Sequence, residues 1–249
     1  MLACLTMPNA AHAAPLGPGW YARGDVGVTV LGPNGTGYWT GPGGGAPRIT
    51  FGLDDPATFT GSMALGYDWM NGIRSDLSFT LDSNMDVTAT IRSTSDGSPT
   101  AGHTQTITGS INAQALMANL FVEPLKLTGN DGPVQPFLTV GAGVAHVSMG
   151  QWTRYNPNNG PPDTYRTFYG ADQFNLAWTA GGGVSVRLGE GRPGMAAPIL
   201  DLTYRLSSYG NVAGGDTPTR GMGPGPREPF NFDDITQTAT VGLRVPIGP

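Results

Sequence analysis

Between Gly61 and Ser83 the chain alternates strictly between apolar and small or polar positions. Met63, Leu65, Tyr67 and Trp69 alternate with Ser62, Ala64, Gly66 and Asp68. Beyond Asn71-Gly72, Ile73, Ser75, Leu77, Phe79 and Leu81 alternate with Arg74, Asp76, Ser78, Thr80 and Asp82. A period of two places each series on one face of a sheet. The Asn-Gly pair, which readily supplies two residues at positive φ, predicts a tight hairpin turn between two strands. One face is apolar while the other carries aspartate and arginine. A sheet that is apolar outside and charged inside inverts the arrangement of a water-soluble protein. It is the pattern of a transmembrane β-barrel.

The same alternation predicts strands over 20–30, 114–122, 136–147, 175–188, 198–207 and 234–247. With the hairpin this makes eight, each near the ~9–11 residues that cross a bilayer when tilted. The polar stretch 84–113 still alternates in places and predicts a hairpin reaching into water, with its tip at 95–99. Long connections at 31–60, 84–113, 151–173 and 209–232 alternate with short ones at 71–72, 123–135 and 189–197. Outer-membrane barrels have short periplasmic turns and long outer loops, so this order puts both termini on the periplasmic side. A lipocalin-like soluble barrel needs its apolar face inside instead. The expected fold is therefore all-β, a single eight-stranded antiparallel up-and-down transmembrane barrel.

Composition narrows the reading. Of 249 residues, 39% are hydrophobic and 12% charged, yet no run approaches the ~18 apolar residues of a membrane helix. The 39 glycines and 22 prolines fall mainly between the alternating runs, where they punctuate loops. A net charge of −5 with no basic stripe argues against nucleic acid as a partner. Residues 1–13 read as the end of a secretory signal peptide: apolar Leu2 to Met7, then Ala11 and Ala13 before a mature start at Ala14. That patch is short and lacks a basic lead, so the natural start is expected upstream. Residues 14–249 then form the barrel. The single cysteine, Cys4, lies in the leader, so no disulfide is expected.

With the strands laid out, the chain resembles the small eight-stranded outer-membrane barrels of Gram-negative bacteria, the OmpA-type transmembrane domain and the opacity or porin-like surface antigens. The segments that carry the resemblance are GWYARGDVGV, LGYDWMNGIRSDLSF, ALMANLFVEP, PFLTVGAGVAHV, NLAWTAGGGVSVRLG, LDLTYRLSSYG and TATVGLRV, between Gly19 and Val245. It implies an outer-membrane location, lipid and lipopolysaccharide around the barrel, and delivery by the barrel-assembly machinery. Such proteins usually end in an aromatic residue; this chain ends in Val-Pro-Ile-Gly-Pro, a departure that bears on assembly. The role implied is a non-enzymatic, surface-exposed envelope protein whose long loops make contact or adhesion. A narrow porin-like channel is the alternative.

Four sets of residues are candidates for function. By parity, Arg23, Asp25, Asp68, Arg74, Asp76, Arg187, Asp201, Arg205 and Arg244 point into the lumen. An eight-stranded barrel is only wide enough for its own side chains, and buried charges need partners. These nine form either a salt-bridge network filling the lumen or the lining of an ion path. Gly141, Gly143, Gly181 and Gly183 leave room for the arginines or for water. Trp20, Tyr67 and Trp69, near strand ends on the apolar face, are expected as an interfacial belt. The loop aromatics Tyr38, Trp39, Trp152, Tyr155, Tyr165, Phe168 and Tyr169 either anchor a partner or pack the loops together.

The last set is enzymatic. Some eight-stranded barrels are lipid A deacylases with a His-x-Ser pair on the outer surface plus an acid. His146 and Ser148 have that spacing, with Asp163 and Asp172 as the nearest acids. Such pairs arise readily by chance, and catalysis is not expected. His103 reads as solvated loop, and Asp54-Asp55 and Asp233-Asp234 as solvated pairs. No metal cluster and no cofactor is expected.

Overall fold

The computed structural model describes residues 19–32, 35–54, 56–98, 104–158, 164–190, 197–219, 223–233 and 235–247. The expected signal peptide lies outside the described residues, as do His103, Asp55, Asp163 and Asp234. Eight antiparallel strands close a ring: β1 (Trp20–Leu31), β4 (Ala57–Asp68), β5 (Ile73–Thr94), β6 (Thr106–Val122), β7 (Val134–Met149), β10 (Ala171–Arg187), β11 (Ile199–Ser208) and β14 (Ile235–Pro246). Each pairs with the next in this order, and β14 returns to β1 with Tyr21 opposite Pro246. Both described ends of the chain therefore lie at one rim.

The ring is inverted as the alternation requires. Along β5, Arg74, Asp76, Ser78 and Asp82 are buried while Leu77, Phe79 and Leu81 are exposed. Val26, Phe59, Leu138, Leu176, Leu202 and Val241 continue the exposed apolar belt around the other strands. An uncovered belt of this breadth far exceeds the apolar patches of soluble monomers. Lipid covers it.

The long connections are not loops. β2 (Thr36–Thr40) and β3 (Arg48–Leu53) form a hairpin added to the upper half of β5. β8 (Trp152–Tyr155) and β9 (Tyr165–Phe168) form another, added to the upper half of β6. β12 (Val212–Ala213) and β13 (Glu228–Phe232) continue the sheet beyond β2. A bridge between Phe168 and Pro218 brings the two flanks together, with Tyr169 N–H donating to Thr217 O and Thr219 N–H to Thr167 O. The result is a second, smaller enclosure standing on the barrel. We call it the cap.

Two local expectations are revised. At the first hairpin turn the positive φ values belong to Met70 and Gly72, not to Asn71. Asp68 accepts from Met70 N–H and Asn71 from Ile73 N–H, so the side chains brace a four-residue loop rather than a two-residue turn. The lumen glycines do more than leave space: a Cβ at Gly181 or Gly183 would collide with a carbonyl of β11. They permit close approach of neighbouring strands.

Candidate functional site: a plugged lumen beneath a structured cap

Near the rim that holds the termini, inward side chains of all eight barrel strands meet. Arg23 Nη1 lies 2.8 Å from Asp25 Oδ2, and its Nη2 lies 3.0 Å from Asp76 Oδ2. Asp76 also accepts from Tyr21 (3.2 Å) and Asn119 (2.7 Å), while Asp25 accepts from Ser62 (2.6 Å). Arg244 Nε donates to Asp201 (3.2 Å), which also accepts from Ser185 (2.6 Å). Arg74 Nε donates to Glu123 (3.1 Å), and its guanidinium lies over the rings of Phe121 at 3.9 Å and Phe137 at 4.9 Å. These groups are almost wholly buried. Bonded pairs and rings fill the cross-section, so the lumen is plugged. A buried charge without a partner costs several kcal/mol, which explains why the sequence places both signs here.

Of the nine sequence-derived lumen charges, Arg23, Asp25, Arg74, Asp76, Asp201 and Arg244 come together in this plug. Arg205 hangs over it, 5.7 Å from the Phe121 ring, and bonds to no described residue. Asp68 and Arg187, each the last residue of its strand, line the mouth beneath the plug together with Glu123 and Arg244. Asp68 is tied to the plug through Lys126, which lies 3.1 Å from Asp68 and 3.7 Å from Glu123, while Arg187 pairs with Asp131 at 3.4 Å at the rim. Glu123 was missed. It follows β6, just before the short helix α1 (Pro124–Leu127), and folds under the barrel to meet Arg74 and Arg244. Asp82, on the inward face but omitted from the network, is also buried.

Trp20 packs edge-on against Tyr67 (5.5 Å) and Tyr67 against Trp69 (5.0 Å) at the terminal rim. Trp69 Nε1 donates to Ser75. One apolar, one polar edge per ring is the geometry of an interfacial anchor.

The cap aromatics divide. Trp39, Trp152 and Phe168 are buried with Phe51, Phe230, Phe232, Val87, Ile107 and Met149 in an apolar core. Trp152 stacks on Phe168 at 4.2 Å and its indole N–H donates to Gly215 O. They are not contact residues; a second core needed them. Tyr165 and Tyr169 remain half-exposed, Tyr155 leans on Tyr165 at 4.8 Å, and Tyr38 lies 4.0 Å from the Arg48 guanidinium. Arg48 also forms an ion pair with Glu228 at 2.6 Å. Burial pushes the Glu228 carboxyl up, but hydrogen bonds from Arg48, Thr40 and Asn231 outweigh it and hold the group below the usual range. Burial, with the charge of Arg166 beside it, lowers the Arg154 pKa to about 10.

His146 and Ser148 face outward on β7 near the cap. The imidazole lies against Phe174 at 4.8 Å, and Asp172 stands opposite Ser148 across the β7–β10 pair. Among the described residues no hydrogen bond joins His146 to Ser148, and no group of three metal-ligating side chains occurs.

No protein-family model and no curated protein matches the sequence. Solved structures do match. The outer membrane protein OprG from Pseudomonas aeruginosa aligns with a TM-score of 0.50 at 10% identity, over 94% of this chain and 98% of that one. Neisserial surface protein A aligns at 0.46 and 14%, over 91% and 96%. The outer membrane protein AlkL aligns at 0.42 and 14%, over 98% of both. At such identities the likeness speaks for the fold, and the OprG alignment is the one that carries it. Its agreement with the closed ring, the apolar belt and the paired interior is sufficient. The chain is an eight-stranded transmembrane β-barrel with the fold of the small outer-membrane barrel proteins of Gram-negative bacteria.

Proposed function

We propose that the protein is a non-enzymatic outer-membrane surface protein whose working part is the cap, presented outside the cell for contact or adhesion. The carrying observation is the division of labour within one sheet. The lumen is closed by bonded charges, while the strands that leave the membrane build a rigid core and hold Tyr165 and Tyr169 on its surface. Rigid aromatics on a fixed scaffold lose little entropy on binding, which suits a contact surface. On this reading residues 1–13 direct export, the barrel-assembly machinery inserts the chain, and lipopolysaccharide surrounds the belt.

The test is adhesion of cells displaying the protein, with Tyr165→Ala/Tyr169→Ala as the variant. Loss of adhesion with unchanged surface level supports the reading; equal adhesion overturns the role of these rings. A narrow channel is the second reading, favoured by polar cavities on either side of the plug. It requires bilayer conductance that changes when Arg74 or Asp76 is neutralised. The absence of discrete conductance steps removes it. For the His146–Ser148 pair, an unchanged lipid A mass spectrum on expression excludes deacylation.

A further inference from the structure

The interior charges of the barrel leave a remainder. Arg23, Arg74 and Arg244 form ion pairs with Asp25, Asp76, Glu123 and Asp201 near the terminal rim, with Lys126 also on Glu123, while Arg205 lies above them. Asp82 is a fifth carboxylate, higher on β5, where the barrel meets the cap. It is 6% exposed; the Thr29 hydroxyl donates to it at 3.4 Å, and the hydroxyls of Thr60 and Tyr209 stand beside it. Those are donors without charge. Among the described residues no lysine or arginine bonds it.

Asp82 opens onto a cavity of about 50 Å³ between the lumen and the cap core. A space of that size exceeds the ~10–15 Å³ that one water needs. Its floor is Asp82 with Thr29, Thr58 and Thr236; its roof is apolar, from Leu31, Met85, Ile111, Val147, Val212 and Phe232. The floor hydroxyls are already engaged: Thr29 with Thr238 at 2.9 Å, Thr58 with Ser83 O at 2.9 Å, and Thr236 with Ser207 O at 3.2 Å. Hydroxyls that donate keep lone pairs, but an alkali ion needs oxygens all round and the apolar roof supplies none. A primary ammonium with a short alkyl chain needs one carboxylate and an apolar wall.

We propose that this cavity is a binding site for a small alkylammonium, with its cationic head on Asp82 and its tail under Phe232 and Met85. The site is separate from the surface aromatics of the cap and does not rest on the adhesive reading. The driving force is local: the bound cation gives Asp82 an ionic partner that no described residue supplies. The roof limits the tail to a few carbons.

The experiment follows the heat midpoint of the refolded full chain in detergent as n-butylammonium chloride rises from about 10 mM to about 1 M, sodium chloride holding ionic strength constant. A midpoint that rises with butylammonium, and an apparent affinity at least about tenfold weaker in Asp82→Asn, are the expected results. Ile111→Phe, which keeps the carboxylate and fills the cavity, weakens butylammonium as well and serves if Asp82→Asn does not refold. An unchanged midpoint in the wild type overturns the proposal. So does an equal response to 1-butanol, which shows that charge is irrelevant, or an equal response to sodium alone, which marks an alkali-ion site. Equal responses in wild type and both variants place any binding elsewhere.

Discussion

The barrel and the cap share strands yet have opposite interiors. In the lower half of β5 the inward residues are Arg74, Asp76, Ser78 and Asp82; in the upper half they are Met85, Val87 and Ala89. Outside, Leu77, Phe79 and Leu81 give way to Asp86, Thr88 and Thr90. The exchange occurs at a register shift between Asp82 and Met85, where the strand gains a residue relative to β6 and its parity reverses. β6 needs no shift, because its inward series changes composition instead: Asn119 below, then Ala115, Ala113, Ile111 and Ile107 above. The lesson concerns solvent. Below, lipid covers the exterior, so the polar groups gather inside and pair. Above, water covers it, and the ordinary hydrophobic core returns.

Asp76→Ala attacks the barrel's mode of stability and has the largest expected effect. Arg23, Tyr21 and Asn119 lose a shared acceptor, and removing one partner of a buried pair costs about 3–5 kcal/mol. The unboiled protein should lose its heat-modifiable gel mobility at lower temperature, and full retention would show that the plug carries no stability. Phe230→Ala attacks the cap's mode. Deleting a fully buried ring costs about 3–5 kcal/mol, but only where that ring packs, so the cap should become protease-sensitive while the barrel keeps its gel shift. Simultaneous loss of both would make them one cooperative unit.

A pair of substitutions on one strand sharpens the boundary. Leu77→Arg faces lipid and should cost about 2–4 kcal/mol of folding stability in bilayers. Thr90→Arg, on the same outer side above the register shift, should change stability by less than about 0.5 kcal/mol. Equal effects would move the membrane edge. The smallest effect is expected at Glu228. Its pKa is depressed in the folded state, so its stabilisation is present above the ordinary 4.5 and is lost as pH falls through the lower folded value. The pair with Arg48 is partly exposed, so screening limits it to a few tenths of a kcal/mol. Glu228→Gln should remove that acid dependence from the melting of the cap.

Alternation was legible because lipid on one side and paired charge on the other impose a period of two on every crossing strand. It located all eight barrel strands, the inward face of Arg23, Asp25, Arg74, Asp76, Asp201 and Arg244, and the apolar belt with Trp20, Tyr67 and Trp69. It could not show where a wall stops, so it did not reveal that Asp68 and Arg187 sit at the mouth of the lumen rather than within the plug. Glu123 was hidden by lying outside any strand. Of the cap, alternation found only the hairpin over 84–113, now the upper halves of β5 and β6; the rest was invisible for another reason. Its strands, such as the four residues of β8 and of β9, are too short for alternation to register, and they pair with partners far away in sequence: β13 with β2, and Phe168 with Pro218.

By itself, then, the sequence determined the sheet class, the strand number, the inverted faces and the solvent outside them, because each follows from a local period of two. Only the tertiary structure decided which charges meet, that Arg205 and Asp82 form no ion pair among the described residues, and that Trp39, Trp152 and Phe168 are core rather than surface. Those outcomes depend on closure. Ring formation sets the height of each inward side chain against its neighbours, and no single strand carries that information.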